Sequence, residues 1–187
     1  EIKIMSNLAH MGGSIESDER EMIEKVFRLN DLTARDVMTP RVSMFTLNMS
    51  ATIGEARQEI IDCSYSRIPI YEKNRDHVVG MCMETDLLTA VAKGENEKKI
   101  GDFKRKAIFV SHKAKLDYLL KLFQSKKSHL AVVKDEFDAT VGVITLEDVL
   151  EQLVGEIIDE GDSTIDPRTR AEDQARLAEI SRNSSKV

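Results

Sequence analysis

The sequence predicts an α/β (α+β) protein of two pseudo-symmetric repeats, each a small sheet with packed helices. An N-terminal helix precedes them and a polar C-terminal tail follows. Three observations predict this. Short apolar strands alternate with helix-period segments along most of the chain. Gly80 and Gly142, Asp86 and Asp148, and Ser66 and Ser128 each stand 62 residues apart, which marks an internal repeat. A repeat of roughly 60 residues buries too little surface to be stable alone, so two copies must share a core and leave pseudo-equivalent clefts between them.

Taken in order, residues 1–33 read as a linker ending in Gly12-Gly13 and then a helix. Ser17 or Asp18 can cap that helix, with Glu21 three residues after Asp18 as in a capping box. Met22, Ile23, Val26 and Phe27 form its apolar stripe, and a helix with so narrow a stripe must dock on something to be stable. The first repeat, residues 34–95, opens on Ala34–Arg41, where Pro40 forces an extended exit. Met44–Leu47 is a short strand. Thr52–Cys63 is a helix burying Ile53, Ala56, Ile60 and Ile61, and Ser66–Tyr71 is extended, its Pro69 suited to an edge or an irregular strand. Asn74–Asp76 turns the chain, Val78–Met83 is a strand and Thr85–Lys93 a helix.

The second repeat, residues 96–158, follows the same plan. Ile108–Val110 is a strand, Leu116–Gln124 a helix carrying Leu119, Leu120, Leu122 and Phe123, and His129–Val133 a strand. Asp135–Asp138 is a turn, Val141–Thr145 a strand and Glu147–Ile157 a helix. Across the first helix of each repeat the offset is 63, pairing Ile53 with Leu116, Ala56 with Leu119 and Ile60 with Phe123. Residues 159–187 form the polar tail, with a weakly striped helix over Ala171–Ile180 and a disordered end.

Composition narrows the function. A chain that is 41% hydrophobic and 32% charged is an ordinary globular protein, and its formal charge of −6 argues against nucleic acid as a partner. Cys63 and Cys82 form no C-x-x-C pattern, which points to reduced thiols in a cytosolic setting without a disulfide framework or zinc site. No apolar run approaches the ~20 residues that span a bilayer. The opening residues lack the apolar core of a signal peptide, and the start without methionine reads as a fragment of something larger.

The stretch Val141–Leu150 concentrates the chemistry. It runs from a strand into a helix, exposing unpaired backbone N–H groups and a positive dipole end that suit a phosphate. The Thr145 hydroxyl can donate to a phosphate oxygen, and Asp148 can accept from a sugar diol. The bland alternative is a capped helix after a buried strand.

This arrangement, with a final strand ending Gly142-Val143-Ile144-Thr145-Leu146-Glu147-Asp148, resembles the cystathionine-β-synthase (CBS) domain pair, or Bateman module. Asp36-Val37-Met38-Thr39-Pro40-Arg41, Tyr65–Glu72 and Thr145–Glu151 followed by Gly155-Glu156-Ile157 are similar to the CBS region of the CorC/HlyC hemolysin-like family, related to the cyclin M magnesium transporters. The resemblance implies adenine-nucleotide binding (ATP or AMP, with Mg²⁺) in a cleft between repeats. Thr145 would hold a phosphate, Asp148 the ribose hydroxyls, and Arg67 the outer phosphates, to which a planar guanidinium is well matched. Thr39, Tyr65, Ser66, Pro69 and Val143 would line the adenine pocket, and Leu146 belongs to the same set. The resemblance further implies a homodimer of CBS pairs, an N-terminal transmembrane domain in the full-length protein, and a place on the cytoplasmic side of the cell membrane.

The other cleft is weaker. Asp86 keeps the ribose position, but Met83 stands where Thr145 stands and His129 where Arg67 stands, while Lys104, Arg105 and Lys106 offer only a basic run. The four histidines are scattered, and the acidic group Glu156, Asp159, Glu160 and Asp162 reads as solvated turns, so no metal site is assigned. With no Walker A sequence, G-x-S-x-G elbow or Cys–His signature, the expected function is regulation, not catalysis. Two alternatives stay open: a structural dimerisation module with empty clefts, and a regulatory CBS domain of a soluble enzyme.

Overall fold

The structure, a computed structural model, describes residues 17–154. Helix α1 (Ser17–Asp31) leads into the short helix α2 (Ala34–Val37) and strand β1 (Thr39–Pro40), followed by a 3-10 turn over Arg41–Ser43. Then come β2 (Leu47–Asn48), α3 (Arg57–Ile61), β3 (Arg67–Tyr71), β4 (Val78–Met83) and α4 (Glu84–Ala92). A second 3-10 turn over Ile100–Phe103 opens the other half, which continues as β5 (Ile108–Ser111), α5 (Leu116–Lys126), β6 (Leu130–Lys134), β7 (Thr140–Thr145) and α6 (Leu146–Val154).

Each half builds one sheet, ordered β2-β3-β4 and β1-β7-β6-β5. β2 and β5 run parallel to β3 and β6, which in turn pair antiparallel with β4 and β7. The parallel pairs need crossover helices, and α3 and α5 supply them. Alternation along the strands sends Ile68, Ile70 and Cys82 to one outer core with Ile53, Ile60 and Leu87. Ala131, Val133 and Ile144 go to the other, with Leu119, Phe123 and Val149. The opposite faces meet each other: Val78 and Tyr71 from one sheet pack with Leu130, Val132 and Val143 from the other and with Met44. That shared face is what a repeat alone would leave wet.

The repeats also exchange their leading segments. Thr39 and Pro40 pair with Val143 and Gly142 in the second sheet, while Arg105 bonds Met81 in the first, N–H to carbonyl in both directions at 3.1 and 2.7 Å. Thr33 pairs with Lys115 and Lys99 with Thr52 in the same crossed sense. Both segments begin with an aspartate accepting a backbone N–H three residues earlier, Asp36 from Thr33 at 2.8 Å and Asp102 from Lys99 at 3.0 Å. These leading segments therefore correspond at an offset of 66, which places Arg105 where Thr39 stands. Each approach needs a glycine on the receiving strand. A Cβ on Gly142 would lie 2.5 Å from the Thr39 carbonyl oxygen, and one on Gly80 2.8 Å from that of Arg105.

Several local expectations change. The predicted strand at Met44–Leu47 is a two-residue strand displaced to Leu47–Asn48, because the 3-10 turn consumes the approach. The helix predicted from Thr52 winds regularly only over Arg57–Ile61, and Ile61 is exposed, since Ile60 already occupies the core side one helical step away. On α1, Met22 and Val26 stay exposed while Leu29 is buried against the second repeat, so the docking face is narrower than the stripe suggested. Pro69 lies in the middle strand of its sheet, not on an edge. Its partner Met81 spends both backbone groups on Arg105, so no N–H is needed from Pro69, and β2 begins pairing only at Ile70. The predicted Asp18–Glu21 capping box, residues 1–16, the end of the last helix and the polar tail lie outside the described residues or side chains.

Candidate nucleotide site

The strand-to-helix junction of the second repeat is held by a reciprocal cap. The Thr145 N–H donates to Asp148 Oδ2 at 2.7 Å, and the Asp148 N–H donates to Thr145 Oγ1 at 3.1 Å. This capping box settles two of the orphan donors that open α6 and fixes both side chains at the helix N-terminus. It leaves the Thr145 hydroxyl proton and Asp148 Oδ1 without a partner among the described residues. Val143 points to the same side of β7 as Thr145, and Thr39 lies directly across from it on β1.

The other wall comes from the first repeat. Arg67 and Pro69 share the face of β3 that looks toward the second sheet, with Arg67 half-buried and Pro69 buried. Among the described residues the Arg67 guanidinium forms no ion pair, and its charge helps to lower the Glu147 pKa in the first turn of α6. Tyr65 is exposed and its ring stacks on Phe45, centroids 6.1 Å apart. The Ser66 carbonyl accepts the Glu84 N–H at 3.1 Å, which anchors this segment at the start of α4. Leu146 instead turns to the outer core of its own repeat and donates its N–H to the His129 carbonyl at 3.1 Å.

Glu147 was given no role from the sequence. Its carboxylate contacts His129 Nδ1 at 3.3 Å. Burial raises its pKa, but hydrogen bonds from its own N–H and from His129, with the charges of His129 and Arg67, outweigh that and hold it below the usual carboxylate range. A first-turn acid between a capping threonine and aspartate was the available hint.

The register of the sheets corrects the assignment of the second cleft. Arg67 pairs with Met83 and Leu130 with Thr145, while Ile68 pairs with Cys82 and Ala131 with Ile144. The offset between β3 and β6 is therefore 63, changing to 62 only after the turn. Arg67 corresponds to buried Leu130, and His129 corresponds to Ser66. No cation stands at the place of Arg67 on β6, whose Lys134 lies at the other end of the strand. Met83 does stand at the place of Thr145 and caps nothing with its side chain. Asp86, the counterpart of Asp148, is engaged by Arg105, whose Nη2 donates to Oδ2 at 2.6 Å. Among the described residues no group of His, Cys, Asp and Glu is placed to hold a metal ion.

Residues 34–93 and 100–155 each match the CBS domain, and together they carry the two repeats. The chain belongs to the CBS-domain family. This CBS pair is homologous to the modules of CNNM/CorC-family Mg²⁺ transporters. The CBS domain of a bacterial transporter of that family, solved with the inhibitor IGN95a, has a TM-score of 0.75 at 35% identity, covering 84% of this chain and 98% of that one. One solved in complex with ATP has a TM-score of 0.69 at 36% identity, covering 74% and 99%. Among curated relatives, a UPF0053 protein of Synechocystis is 48% identical over 166 residues, 89% of this chain and 48% of the relative. The magnesium and cobalt efflux protein CorC of Escherichia coli is 38% identical over 152 residues, 81% and 52%. The CBS pair thus spans about half the length of these relatives. No helix among its described residues is long and apolar enough to cross a membrane.

Proposed function

We propose that this CBS pair is the regulatory, adenine-nucleotide-binding module of a membrane-associated magnesium/cobalt transport protein. The observation that carries the reading is the Thr145–Asp148 cap, whose hydroxyl proton and second carboxylate oxygen have no partner among the described residues, with Arg67 of the other repeat on the facing strand. It offers an acceptor for a ribose diol, donors for a phosphate, a cation for further phosphates and apolar walls for a base. Likeness to a CNNM/CorC CBS domain solved with ATP supports ATP or AMP as ligand, with Mg²⁺ arriving on the phosphates.

Nucleotide favours one placement of the two repeats, or of two subunits in a homodimer, and so shifts a population. A ligand at 100 times its Kd biases a two-state element by about 2.7 kcal/mol when it binds one state alone. In the full-length protein the module lies on the cytoplasmic side, joined to an N-terminal transmembrane domain. Helix α1, which packs across α5 and α6, links the site to that domain.

Calorimetric titration with ATP and AMP, with and without Mg²⁺, tests the reading. Binding that is lost in Arg67→Ala and Asp148→Ala supports it, and no heat and no melting shift at millimolar nucleotide sinks it. The occupied Asp86 favours a second reading, a structural dimerisation module with empty clefts. That reading requires a nucleotide-independent dimer in solution.

A further inference from the structure

We infer that the first repeat carries a further ligand site, away from the clefts between the repeats, that takes an amino acid with a cationic side chain. A hollow of about 450 Å³ opens at the edge of its sheet, where β2, the turn into α3, the end of β3 and the β3–β4 turn meet. It shares no residue with the Thr145 site: Arg67 belongs to that site and Tyr71 to the hollow, at opposite ends of β3.

The hollow exists because the repeats differ there. β2 pairs with β3 as β5 pairs with β6, Asn48 opposite Tyr71 and Ser111 opposite Lys134, so this region corresponds at the offset of 63. In the second repeat the place is filled. Phe109 stands where Thr46 stands, and Lys134, in the place of Tyr71, lies over its ring with Nζ 4.8 Å from the centroid. Leu119, Tyr118 and Leu122 stand where Ala56, Glu55 and Glu59 line the hollow. Small or charged side chains thus replace large ones on one side of the pseudo-twofold axis only.

One group in the lining lacks a partner. Thr46 is 5% exposed, and its Oγ1 is buried with no hydrogen-bond partner among the described residues. A buried hydroxyl left unpaired is costly, and a polar ligand group against it removes that cost. The charges around the hollow define the ligand. Glu55 Oε2 accepts the Thr52 N–H at 2.8 Å, which fixes its carboxylate beside the opening. The side chains of Glu59, one helical turn on, and of Arg75, on the β3–β4 turn, form no hydrogen bond or ion pair among the described residues. A guanidinium fork matches a carboxylate, and two carboxylates against one guanidinium leave a negative balance. A molecule with one carboxylate and two ammonium groups answers that set, and the Tyr71 ring offers its methylenes a wall.

The test titrates the whole chain, isotope-labelled, with L-lysine, following amide chemical shifts and measuring affinity by calorimetry. Shifts are expected over residues 46–59 and 71–75 and not at Thr145 or Asp148. L-norleucine, which lacks the side-chain ammonium, and cadaverine, which lacks the carboxylate, are each expected to bind about tenfold more weakly or worse. Glu59→Gln and Arg75→Gln, changes on exposed side chains that leave the core untouched, are expected to weaken L-lysine by the same factor, and Thr46→Val to weaken it several-fold. Thr46→Phe, which copies the second repeat, is expected to abolish binding. Absence of amide shifts at these residues with millimolar L-lysine overturns the site. Undiminished affinity in both Glu59→Gln and Arg75→Gln overturns it as well, as does cadaverine binding as tightly as L-lysine. Mg²⁺ alone that moves the same amides and is not displaced by L-lysine also overturns it. The site stands or falls without reference to nucleotide in the Thr145 cleft, which the ATP titration decides separately.

Discussion

Thr145 and Asp148 hydrogen-bond each other in both directions across the first turn of α6, so the pair that stops the strand is also the pair proposed to hold nucleotide. Their separate contributions can be told apart. Asp148→Ala removes the cap and the diol acceptor, and is expected to cost about 1 kcal/mol of stability as well as nucleotide binding. Asp148→Asn keeps an acceptor for the Thr145 N–H and is expected to melt close to wild type while binding nucleotide more weakly. Denaturant midpoints and titrations on the two variants check this. Equal loss of stability in both variants contradicts the capping role.

Gly142 lies under the exchanged strand. A Cβ there meets the Thr39 carbonyl oxygen at 2.5 Å and the Met38 sulfur at 2.7 Å, and the former is backbone that cannot swing aside. Gly142→Ala is expected to cost about 1–3 kcal/mol, the scale of an overpacked core, and to lift β1 from β7. Hydrogen exchange at Thr39 and Val143 should accelerate before exchange in α5 does. Gly94 is a useful contrast, because its Cβ would meet nothing within 4 Å and its φ of +70° alone penalises a side chain.

Much of this was legible in the sequence because it depends on periodicity. The repeat, the succession of strands and helices and buried Ile53, Ala56, Ile60, Leu119 and Phe123 follow from apolar spacing, which the cores of the two sheets enforce. The cap was legible too, since Thr145 and Asp148 stand three residues apart at a strand end. What the sequence hid is relational. His129 and Arg67 share an offset of 62 with the glycines, yet sheet pairing sets β3 and β6 at 63, and a one-residue slip exchanges a charged partner for buried Leu130. The exchange of leading segments was equally hidden, because Arg105 resembles Thr39 in nothing but its place on a strand. Its trace in the sequence is the 66-residue offset between Asp36 and Asp102, distinct from the 62 and 63 of the rest of the repeat.

Acid should weaken the exchanged segments. The Thr33 hydroxyl and N–H both donate to Asp36, at 2.6 and 2.8 Å, and hold its carboxyl below the ordinary aspartate range. A carboxylate whose pKa is depressed by folding contributes stability that is present above its unfolded pKa and lost as pH falls through its folded one. Glu55 is depressed in the same direction by the Thr52 N–H and hydroxyl in a similar cap before α3. Urea midpoints should therefore fall between about pH 5 and pH 3, and Thr33→Val should flatten that fall by removing the hydroxyl bond. A midpoint in Thr33→Val that drops as steeply as in wild type contradicts the assignment.

The two cysteines report on the core and on the site respectively. Burial pushes the Cys82 thiol up to about 12, with the Asp86 charge adding to the rise and Arg105 opposing it, and the residue is fully buried. The reactive thiolate is then nearly absent at pH about 8, and alkylation has to wait for the outer core of the first repeat to open. Cys63 is raised by partial burial as well, but it sits at the edge, where its sulfur accepts the Tyr65 N–H at 3.4 Å. Iodoacetamide followed by mass spectrometry should label Cys63 first and Cys82 at the rate of unfolding. If adenine rests against Tyr65, saturating nucleotide with Mg²⁺ should slow labelling of Cys63 several-fold. It should slow Cys82 too, through the added stability, by a factor set by ligand concentration over Kd. In Asp148→Ala both protections should disappear together. Protection of Cys63 that persists in that variant places the ligand somewhere other than the Thr145 cleft.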